Sequence, residues 1–214
     1  MPGPQVKGRA YDSTNRRARA AIGRARIVEA AQRRFLTDGY AATTIASVAA
    51  DAGVSVDTIF KSFGGKVGLL QAAWERALQG QGHQPAEDRA DTAAAEGDAR
   101  TMIATWATLS AEVGGETSRL FALIRSMAVV DPGVSDLYDR VKQSRSERMT
   151  HNARLLAATG ALRPGLSIAQ TRDILLAVSG HLPEPLLDQA GWPRADYVAL
   201  VDRLLQAVLL TPTQ

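Results

Sequence analysis

Residues 43–63, TTIASVAADAGVSVDTIFKSF, determine the fold expected for this chain. The first half of this stretch repeats apolar residues at the i, i+3, i+4 and i+7 spacing of one helix face, at Ile45, Val48, Ala49 and Ala52. Gly53 follows at the point where a helix end favours a residue that tolerates positive φ. Ser55 is a residue type that caps the next helix through its hydroxyl oxygen. The stretch therefore predicts two short helices joined by a tight glycine turn.

The second short helix has an apolar side and a mostly polar side. Ile59, Phe60 and Phe63 are expected to point into the protein. The outward side is formed by short or medium side chains and comprises Val56, Asp57, Thr58, Lys61 and Ser62. A helix, a glycine turn and a second short helix form the geometry that lays the second helix in a DNA major groove. Double-stranded DNA is therefore the predicted partner.

The residues that open this second helix suit contacts with base edges, because short side chains let the backbone approach the groove closely. Val56 can contact a thymine methyl group, and Asp57 can accept a hydrogen bond from a cytosine amine. Thr58 can bond to a base edge or a phosphate, and Lys61, one turn later, can reach a flanking phosphate. The alternative for Asp57 is a purely structural role at the positive end of the helix dipole.

The charge of the chain is concentrated near its N-terminus. The 214 residues carry a formal net charge of +3, but residues 1–80 hold 12 Lys+Arg and 6 Asp+Glu, which gives +6. Residues 1–20 are rich in Pro, Gly and Arg and show little periodicity, so they are predicted to form a flexible basic arm. We expect this arm to follow phosphates or to enter the minor groove; the alternative is a passive solubilising tail.

Glycine and proline residues divide the chain into helical segments, and strand signals are nearly missing. Helices are predicted at about 24–38 and 66–78, on either side of the two short ones. Residues 79–98 contain no large apolar residue and are interpreted as the seam between two domains. The predicted fold is all-α, with a three-helix helix-turn-helix DNA-binding domain within 21–80 and a helical ligand-binding and dimerisation domain over 81–214.

Two apolar helices are predicted near the C-terminus, at about 168–182 and 194–210. A chain of this size leaves such helices poorly covered, so pairing them with their copies would form a four-helix interface. The chain is therefore expected to be a homodimer through its last two helices. A two-fold dimer also matches the symmetry of operators that helix-turn-helix proteins read.

The order of these elements resembles the tetracycline-repressor (TetR) family of bacterial transcriptional regulators. The resemblance is carried by residues 24–70, RARIVEAAQRRFLTDGYAATTIASVAADAGVSVDTIFKSFGGKVGLL, and more weakly by Gly191–Pro193 and the helix that follows. It implies a homodimer that binds an operator and an inducer-binding cavity in the second domain. A ligand-responsive DNA-binding regulator, most simply a repressor released by its effector, is therefore the expected function.

The resemblance also implies particular DNA contacts. It assigns phosphate contacts to Thr44, Lys61 and Lys66, although one of the two adjacent threonines is equally expected to cap a helix and Lys66 to be an ordinary surface lysine. The family usually places a tyrosine and a histidine at positions 60 and 62, where this chain has Phe60 and Ser62. Phe60 is therefore expected to be core, with Lys61 and Ser62 as possible replacements at the backbone. The complete expected set is Thr43, Thr44, Ser55, Val56, Asp57, Thr58, Lys61, Ser62 and Lys66.

The expected effector is a small organic molecule held among the helices of the second domain. Candidate ligand-binding residues are Met102, Trp106, Phe121, Arg125, Tyr138, Arg145 and Met149. For each apolar member of this set, a plain core role is the stronger alternative. Arg125 and Arg145 lie in helices otherwise patterned with apolar residues, and a buried arginine needs an anion. An internal Asp or Glu is the favoured partner, and an acidic ligand is the alternative.

Other classes of protein fit the sequence poorly. The histidines, His83, His151 and His181, match no metal-binding spacing, and no cysteine or G-x-S-x-G serine is available as a nucleophile. An enzyme, a metal site and a cofactor are therefore not expected. No apolar run approaches the roughly 18 residues of a membrane span, and a cytoplasmic location is expected. The remaining alternative is a helical adaptor whose helix-turn-helix docks protein rather than DNA.

Overall fold

The computed structural model describes residues 8–80, 84–95 and 98–212, with side chains from residue 17 onward. Within these ranges the chain contains no β-strand, only a single bridge between Leu162 and Leu210. The α-helices are α1 Gly8–Thr37, α2 Gly39–Ala42, α3 Ile45–Ala52, α4 Val56–Phe63, α5 Lys66–Gln79, α6 Ala86–Ala95, α7 Ala99–Met127, α8 Pro132–Ala158, α9 Ile168–His181 and α10 Arg194–Leu209. The predicted all-α fold is confirmed. No described helix has the length and apolar character needed to cross a bilayer.

The chain divides into two compact units, Met1–Ala73 and Trp74–Gln214. The sequence-based boundary at 80/81 therefore lies seven residues beyond the division in the structure, and α5 contributes to both units. In the first unit α1 packs against α2 and α3, and α3 packs against α4. Its predicted apolar face is buried at Ile27, Ala30, Ala31 and Phe35.

The expectation of a flexible arm over residues 1–20 is wrong for residues 8–20, which belong to α1. Residues 1–7 lie outside the described residues. Alanine and arginine are strong helix formers, and residues 8–23 are rich in both. The side chains of residues 17–20 are all exposed, and this is why an apolar periodicity could not reveal the helix.

The second unit is built around α7. This helix packs against α6, α8, α9 and α10, and α8 packs against α9. Its core contains Met102, Ile103, Leu156, Tyr197 and Leu209, each fully buried. The two C-terminal helices lie close to their predicted bounds, at α9 and α10. A π-helical segment, Glu184–Gln189, lies between them.

The predicted seam at residues 79–98 contains a helix that the sequence reading did not anticipate. α6 covers Ala86–Ala95, and Ala86, Ala90 and Ala93 are buried on one face against α7. This helix packs with methyl groups alone and lacks the large apolar residues whose periodicity predicts an amphipathic helix. Alanine has the highest intrinsic helix propensity, which explains why so polar a segment is helical.

Candidate nucleic-acid interface and ligand cavity

Side-chain caps and glycines fix both ends of the helix-turn-helix. Thr44 caps α3, because its Oγ1 accepts a hydrogen bond from the Ser47 amide at 3.0 Å while Ser47 Oγ accepts one from the Thr44 amide at 3.2 Å. Gly53 ends α3 with φ 65°, in the left-handed region that glycine favours. Ser55 caps α4 by accepting from the Thr58 amide at 3.2 Å. These local bonds set the direction in which α4 leaves the turn.

An ion pair ties α3 to the long helix α1. Arg34 donates two hydrogen bonds to Asp51, Nε to Oδ2 at 2.7 Å and Nη2 to Oδ1 at 2.9 Å, and Arg33 adds a third at 3.2 Å. The hydrogen bond from Arg34 is the largest cause of a lowered pKa at Asp51. A forked guanidinium–carboxylate pair has a defined geometry, so it orients α3 as well as attracting it.

The outward face of α4 is exposed as predicted, and it consists of Val56, Asp57, Thr58, Lys61 and Ser62. Asp57 and Lys61 form an ion pair across one turn, with Nζ and Oδ2 2.6 Å apart and more than two thirds of each side chain exposed. Such an exposed pair contributes little to stability. Both charged groups therefore remain available to exchange this contact for one with an external partner.

Two residues of the expected set bond to backbone carbonyls of α2. Thr43 is 1% exposed and donates its hydroxyl hydrogen to the Gly39 carbonyl at 2.8 Å. Its hydroxyl is thus engaged within the first unit, and the DNA contact expected for Thr43 stays a prediction. Lys66 Nζ donates to the Ala41 carbonyl at 3.3 Å and lies 4.2 Å from the centre of the Tyr40 ring. Its ammonium group consequently joins α5 to α2.

The expectation that Phe60 belongs to the core is wrong. Its side chain is 50% exposed, and Val56, one turn earlier on the same helix, is 41% exposed. Ile59 supplies the core contact of α4 and is 0% exposed. A helix as short as α4 can bury only one narrow stripe, and the position next to Ile59 falls outside it. Phe60 therefore lies on the outward face.

The basic face of α1 reaches the C-terminal end of α4. The Arg24 guanidinium lies 4.2 Å from the centre of the Phe63 ring and donates to the Ser62 carbonyl at 3.2 Å. Arg17 is also exposed and lies seven residues earlier, so it projects from nearly the same side of the helix about 10 Å further along. Positive charge thus extends from α4 along α1.

The second unit contains a mostly apolar cavity of about 140 Å³. Its lining comes from α5, α6, α7, α8, α9 and α10 and consists of Leu78, Ala86, Glu87, Ala90, Trp106, Leu109, Ser110, Val113, Arg148, Met149, Asn152, Leu175, Val178, Ser179, Val201 and Leu205. Ser110 Oγ and the Tyr197 hydroxyl share a buried hydrogen bond of 2.8 Å. Burial is the largest cause of a raised pKa at Tyr197.

The expected ligand-binding residues fall into three groups. Trp106 and Met149 line the cavity, whereas Met102 is core with 0% exposure. The others lie outside the cavity lining. They are Phe121, Arg125, Tyr138 and Arg145.

Arg125 is exposed, so the expectation of a buried arginine is wrong at this position. The Arg145 guanidinium lies 4.2 Å from the centre of the Phe121 ring, and the Phe121 and Tyr138 ring centres are 5.6 Å apart. Burial lowers the pKa of Arg145. No described Asp or Glu pairs with Arg145, so the expected internal acid is replaced by an aromatic face.

Most residues of the cavity lining carry no recognisable signal in the sequence. Asn152 and Ser110 are polar residues that the helix pattern would place at the surface, but both are buried. Their roles depend on how α7 and α8 pack, which a single-helix periodicity does not specify. Among the described residues, no three His, Cys, Asp or Glu side chains are grouped so that they could hold a metal ion.

Comparisons with known proteins agree with this geometry. Residues 27–73 match the family model of bacterial regulatory proteins, tetR family. The whole chain resembles NalD, the secondary repressor of the MexAB-OprM multidrug efflux pump in Pseudomonas aeruginosa, with a TM-score of 0.69 and 15% identity over 91% of this chain and 99% of that one. No curated protein matches the sequence.

Two further solved structures share the fold. A TetR-family transcriptional regulator from Rhodococcus sp. has a TM-score of 0.67 and 20% identity, covering 88% of this chain and 99% of that one. A transcriptional regulator from Saccharomonospora viridis, solved in complex with choline, has a TM-score of 0.65 and 20% identity, covering 90% and 100%. At these identities the structures establish the fold alone. Residues 27–73 therefore match the DNA-binding domain of bacterial regulatory proteins of the tetR family, and the chain shares the fold of solved transcriptional regulators.

Proposed function

We propose that this protein is a homodimeric transcriptional repressor that leaves its operator when a small organic effector fills the cavity of the second unit. The observation that carries the DNA-binding part is the outward face of α4, which is exposed while caps and a left-handed glycine hold both helices in place. Short side chains on a rigid helix are what major-groove contact requires. Such a regulator acts on the chromosome, so we propose a cytoplasmic location.

The proposed contacts follow from the exposed groups. Val56, Asp57 and Thr58 would meet base edges, although Thr58 Oγ1 must first leave its 2.8 Å contact with Ser55 Oγ. Lys61 would move from Asp57 to a phosphate. The N-terminus of α3 at Thr44 is exposed, and its first-turn amide groups would face a second phosphate.

The helical extension of α1 replaces the predicted flexible arm in this proposal. Arg17 lies on the side of α1 that also carries Arg24, and Arg24 contacts the end of α4. A straight helix holds Arg17 at a fixed distance from α4, so it would bind a phosphate that flanks the operator half-site. The passive tail remains the alternative for residues outside the described range.

Dimerisation through the last two helices is supported by apolar side chains that the second unit leaves only partly covered. Leu200, Leu204 and Val208 follow one another at four-residue intervals on α10, and Leu204 is 38% exposed. Ile174 and Leu176 of α9 are half-buried. An apolar stripe of this kind is stabilised when a second copy covers it.

The ligand response is supported by the cavity itself. Its lining includes Leu78 from α5, the helix that begins at Lys66 in the DNA-binding unit. A ligand shifts the equilibrium between two arrangements of that helix only if it binds one of them more tightly. Filling the cavity would then change operator affinity by a factor set by that difference in ligand affinity. NalD is described as a repressor, and the Saccharomonospora viridis regulator was solved with a small organic molecule, choline.

The experiment is a gel-shift series with the operator and with unrelated duplex DNA at several salt concentrations. Lys61→Ala should weaken binding to both duplexes about equally and reduce the salt slope by about 1. Thr58→Ala should weaken operator binding more than binding to unrelated DNA, by about three- to tenfold. Arg17→Ala should reduce the salt slope, whereas Arg154→Ala, an exposed arginine in the second unit, is the charge-matched control.

A helical adaptor is the second candidate because Val56 and Phe60 expose apolar surface on α4. Apolar groups of this size suit a protein partner better than a phosphate backbone. An adaptor would show no salt-dependent affinity for any duplex, so the same gel-shift series separates the two functions.

A further inference from the structure

Arg145 of α8 carries a positive charge that has no acidic partner among the described residues. Its guanidinium lies 4.2 Å from the centre of the Phe121 ring, and no described residue accepts a hydrogen bond from it. An aromatic face attracts a cation but supplies no lone pair to its N–H groups. All five N–H donors of this guanidinium are therefore unused within the described part of the chain.

A glycine on the neighbouring helix makes room for this guanidinium. A Cβ built at Gly180 of α9 would collide with Arg145 Nη2, so the guanidinium lies directly against the α9 backbone. The Arg145 side chain is half-buried, but none of its nitrogens is fully covered, and a ligand can therefore reach them. Burial lowers the pKa of Arg145, which shows that its charge is partly desolvated. A partly desolvated charge attracts an anion more strongly than a charge in bulk water does.

A second cation lies one turn before Arg145 on the same helix. Lys142 Nζ is 5.1 Å from the centre of the Tyr138 ring, and the Tyr138 and Phe121 ring centres are 5.6 Å apart. Residues three apart on a helix have Cβ atoms about 5–6 Å apart, so the two cations lie over adjacent rings of one cluster. The contact of Lys142 with Asp139 is 3.8 Å long, and more than half of each side chain is exposed. Such a pair is weak, and Lys142 can exchange it for a bound anion.

These groups determine the chemistry of the ligand. The fork of guanidinium N–H groups matches the two oxygens of a carboxylate. Asp139 offsets the charge of Lys142, which leaves the single charge of Arg145 to be balanced. The half-buried rings of Phe121 and Tyr138 leave apolar surface beside the cations for the body of the ligand. A monoanionic carboxylate with an apolar or aromatic body therefore fits this part of the second unit.

We propose that Arg145, with Lys142 beside it, binds the carboxylate of a small organic acid at a site separate from the cavity of the second unit. Arg145, Phe121 and Tyr138 all lie outside the cavity lining, so carboxylate binding here does not depend on the operator or on the effector response proposed above. Benzoate is the simplest probe. Benzamide has the same ring and nearly the same shape without the charge, and inorganic phosphate is an oxyanion without an apolar body.

The test is titration calorimetry of the full chain with benzoate, benzamide and inorganic phosphate in the absence of DNA. Benzoate should bind at least tenfold more tightly than benzamide, because only the carboxylate accepts two charge-assisted hydrogen bonds from the guanidinium. It should bind at least threefold more tightly than phosphate, because only benzoate has a ring to place against the aromatic cluster.

Substitutions locate the bound carboxylate. Arg145→Met keeps an unbranched side chain against Phe121 but removes the charge, and benzoate affinity should fall at least tenfold. Arg145→Lys restores the charge without the fork and should recover part of that loss. Gly180→Ala pushes the guanidinium aside without removing its charge and should weaken binding about three- to tenfold. Arg154→Met, at an exposed arginine of the same helix, is the matched control and should leave the affinity unchanged.

Loss of benzoate affinity in Arg145→Met and Gly180→Ala, with none in Arg154→Met, supports the carboxylate site. The inference is overturned if benzoate does not bind, if benzamide or phosphate binds as tightly, or if Arg145→Met or Gly180→Ala binds benzoate as the parent does. Circular dichroism checks the fold of each variant, and if Arg145→Met does not fold, Gly180→Ala decides alone. Operator binding by the parent in the gel shift tests the proposed function separately, so the failure of either leaves the other standing.

Discussion

The two units of this protein build their sites in opposite ways. In the first unit the exposed groups of the helix-turn-helix come from one continuous stretch, residues 44–66, and local caps and glycine turns hold them. In the second unit the cavity is lined by six helices, from Leu78 to Leu205. A site of the first kind depends on the backbone conformation of a few residues, whereas a site of the second kind depends on the packing of a whole core. The two units should consequently respond to different kinds of substitution.

Truncating the core of the second unit should have the largest effect on stability. Ile103 is 0% exposed and lies in the cluster that surrounds α7. Ile103→Ala removes three buried carbons, so the free energy of unfolding should fall by about 2–5 kcal/mol. Ile103→Val, the matched control, should cost about 0.5–1.5 kcal/mol. Urea unfolding at 25 °C measures both, and similar losses for the two variants would show that this core can close around a cavity.

Changing the glycine between the two short helices should mainly damage the first unit. A side chain added at Gly53 would meet Arg26 Nη2 at 3.5 Å, an ordinary contact, so the penalty lies in the backbone φ of 65°. Gly53→Val should cost at least about 1–2 kcal/mol because a β-branched residue disfavours this conformation. Affinity for duplex DNA in a gel shift should fall tenfold or more. Gly53→Asn should lose much less, since asparagine tolerates the left-handed region, and equal losses would indicate a steric cause.

This contrast also explains what could be predicted from the sequence. The caps at Thr44 and Ser55 and the left-handed turn at Gly53 follow from residue types at fixed local spacing, so the helix-turn-helix was predictable. The exposure of Phe60 was not, because the register of an eight-residue helix against its neighbours depends on tertiary packing. Asn152 and Ser110 were missed for the same reason.

Prediction from the sequence also failed for helices that lack large apolar residues. Residues 8–20 of α1 and the whole of α6 are helical although neither sequence carries a periodic stripe of large apolar residues, and alanine in both segments favours the helix. A reading based on apolar periodicity interpreted both as irregular. The candidate ligand residues Phe121, Tyr138 and Arg145 contact one another outside the cavity lining, and their ligand role stays a prediction.

A substitution at Phe60, on the outward face of α4, should give a small gain in operator affinity. Phe60 is half exposed on the outward face of α4 and has no hydrogen-bonding group. Phe60→Tyr adds one hydroxyl that can donate to a phosphate, so operator affinity should rise by about three- to tenfold. The gel shift measures this, and circular dichroism should show unchanged folding. A loss of affinity would place Phe60 against bases rather than against the backbone.

The smallest effect concerns the ion pair that orients α3. The Arg34 hydrogen bond lowers the pKa of Asp51 from its ordinary value of 3.8, so the pair stabilises the folded state fully well above that pH and is lost as the pH falls through the lowered pKa. Asp51→Asn should therefore lower the melting temperature slightly at pH 7. The difference from the parent should shrink below about pH 3.8. A difference that is independent of pH would mean that shape rather than charge holds α3.

The alanine face of α6 has a kinetic consequence for the cavity. α6 supplies Ala86, Glu87 and Ala90 to the lining, but its buried contacts are methyl groups worth roughly 0.8 kcal/mol each, supplemented by ion pairs to Glu112 and Arg148. Detaching α6 thus costs less than detaching α7, and salt weakens the ion pairs. The rate at which a molecule enters the cavity should therefore be limited by the rate at which α6 opens. Its amide hydrogens should then exchange with deuterium sooner than those of the other lining helices, and uptake should quicken as ionic strength rises.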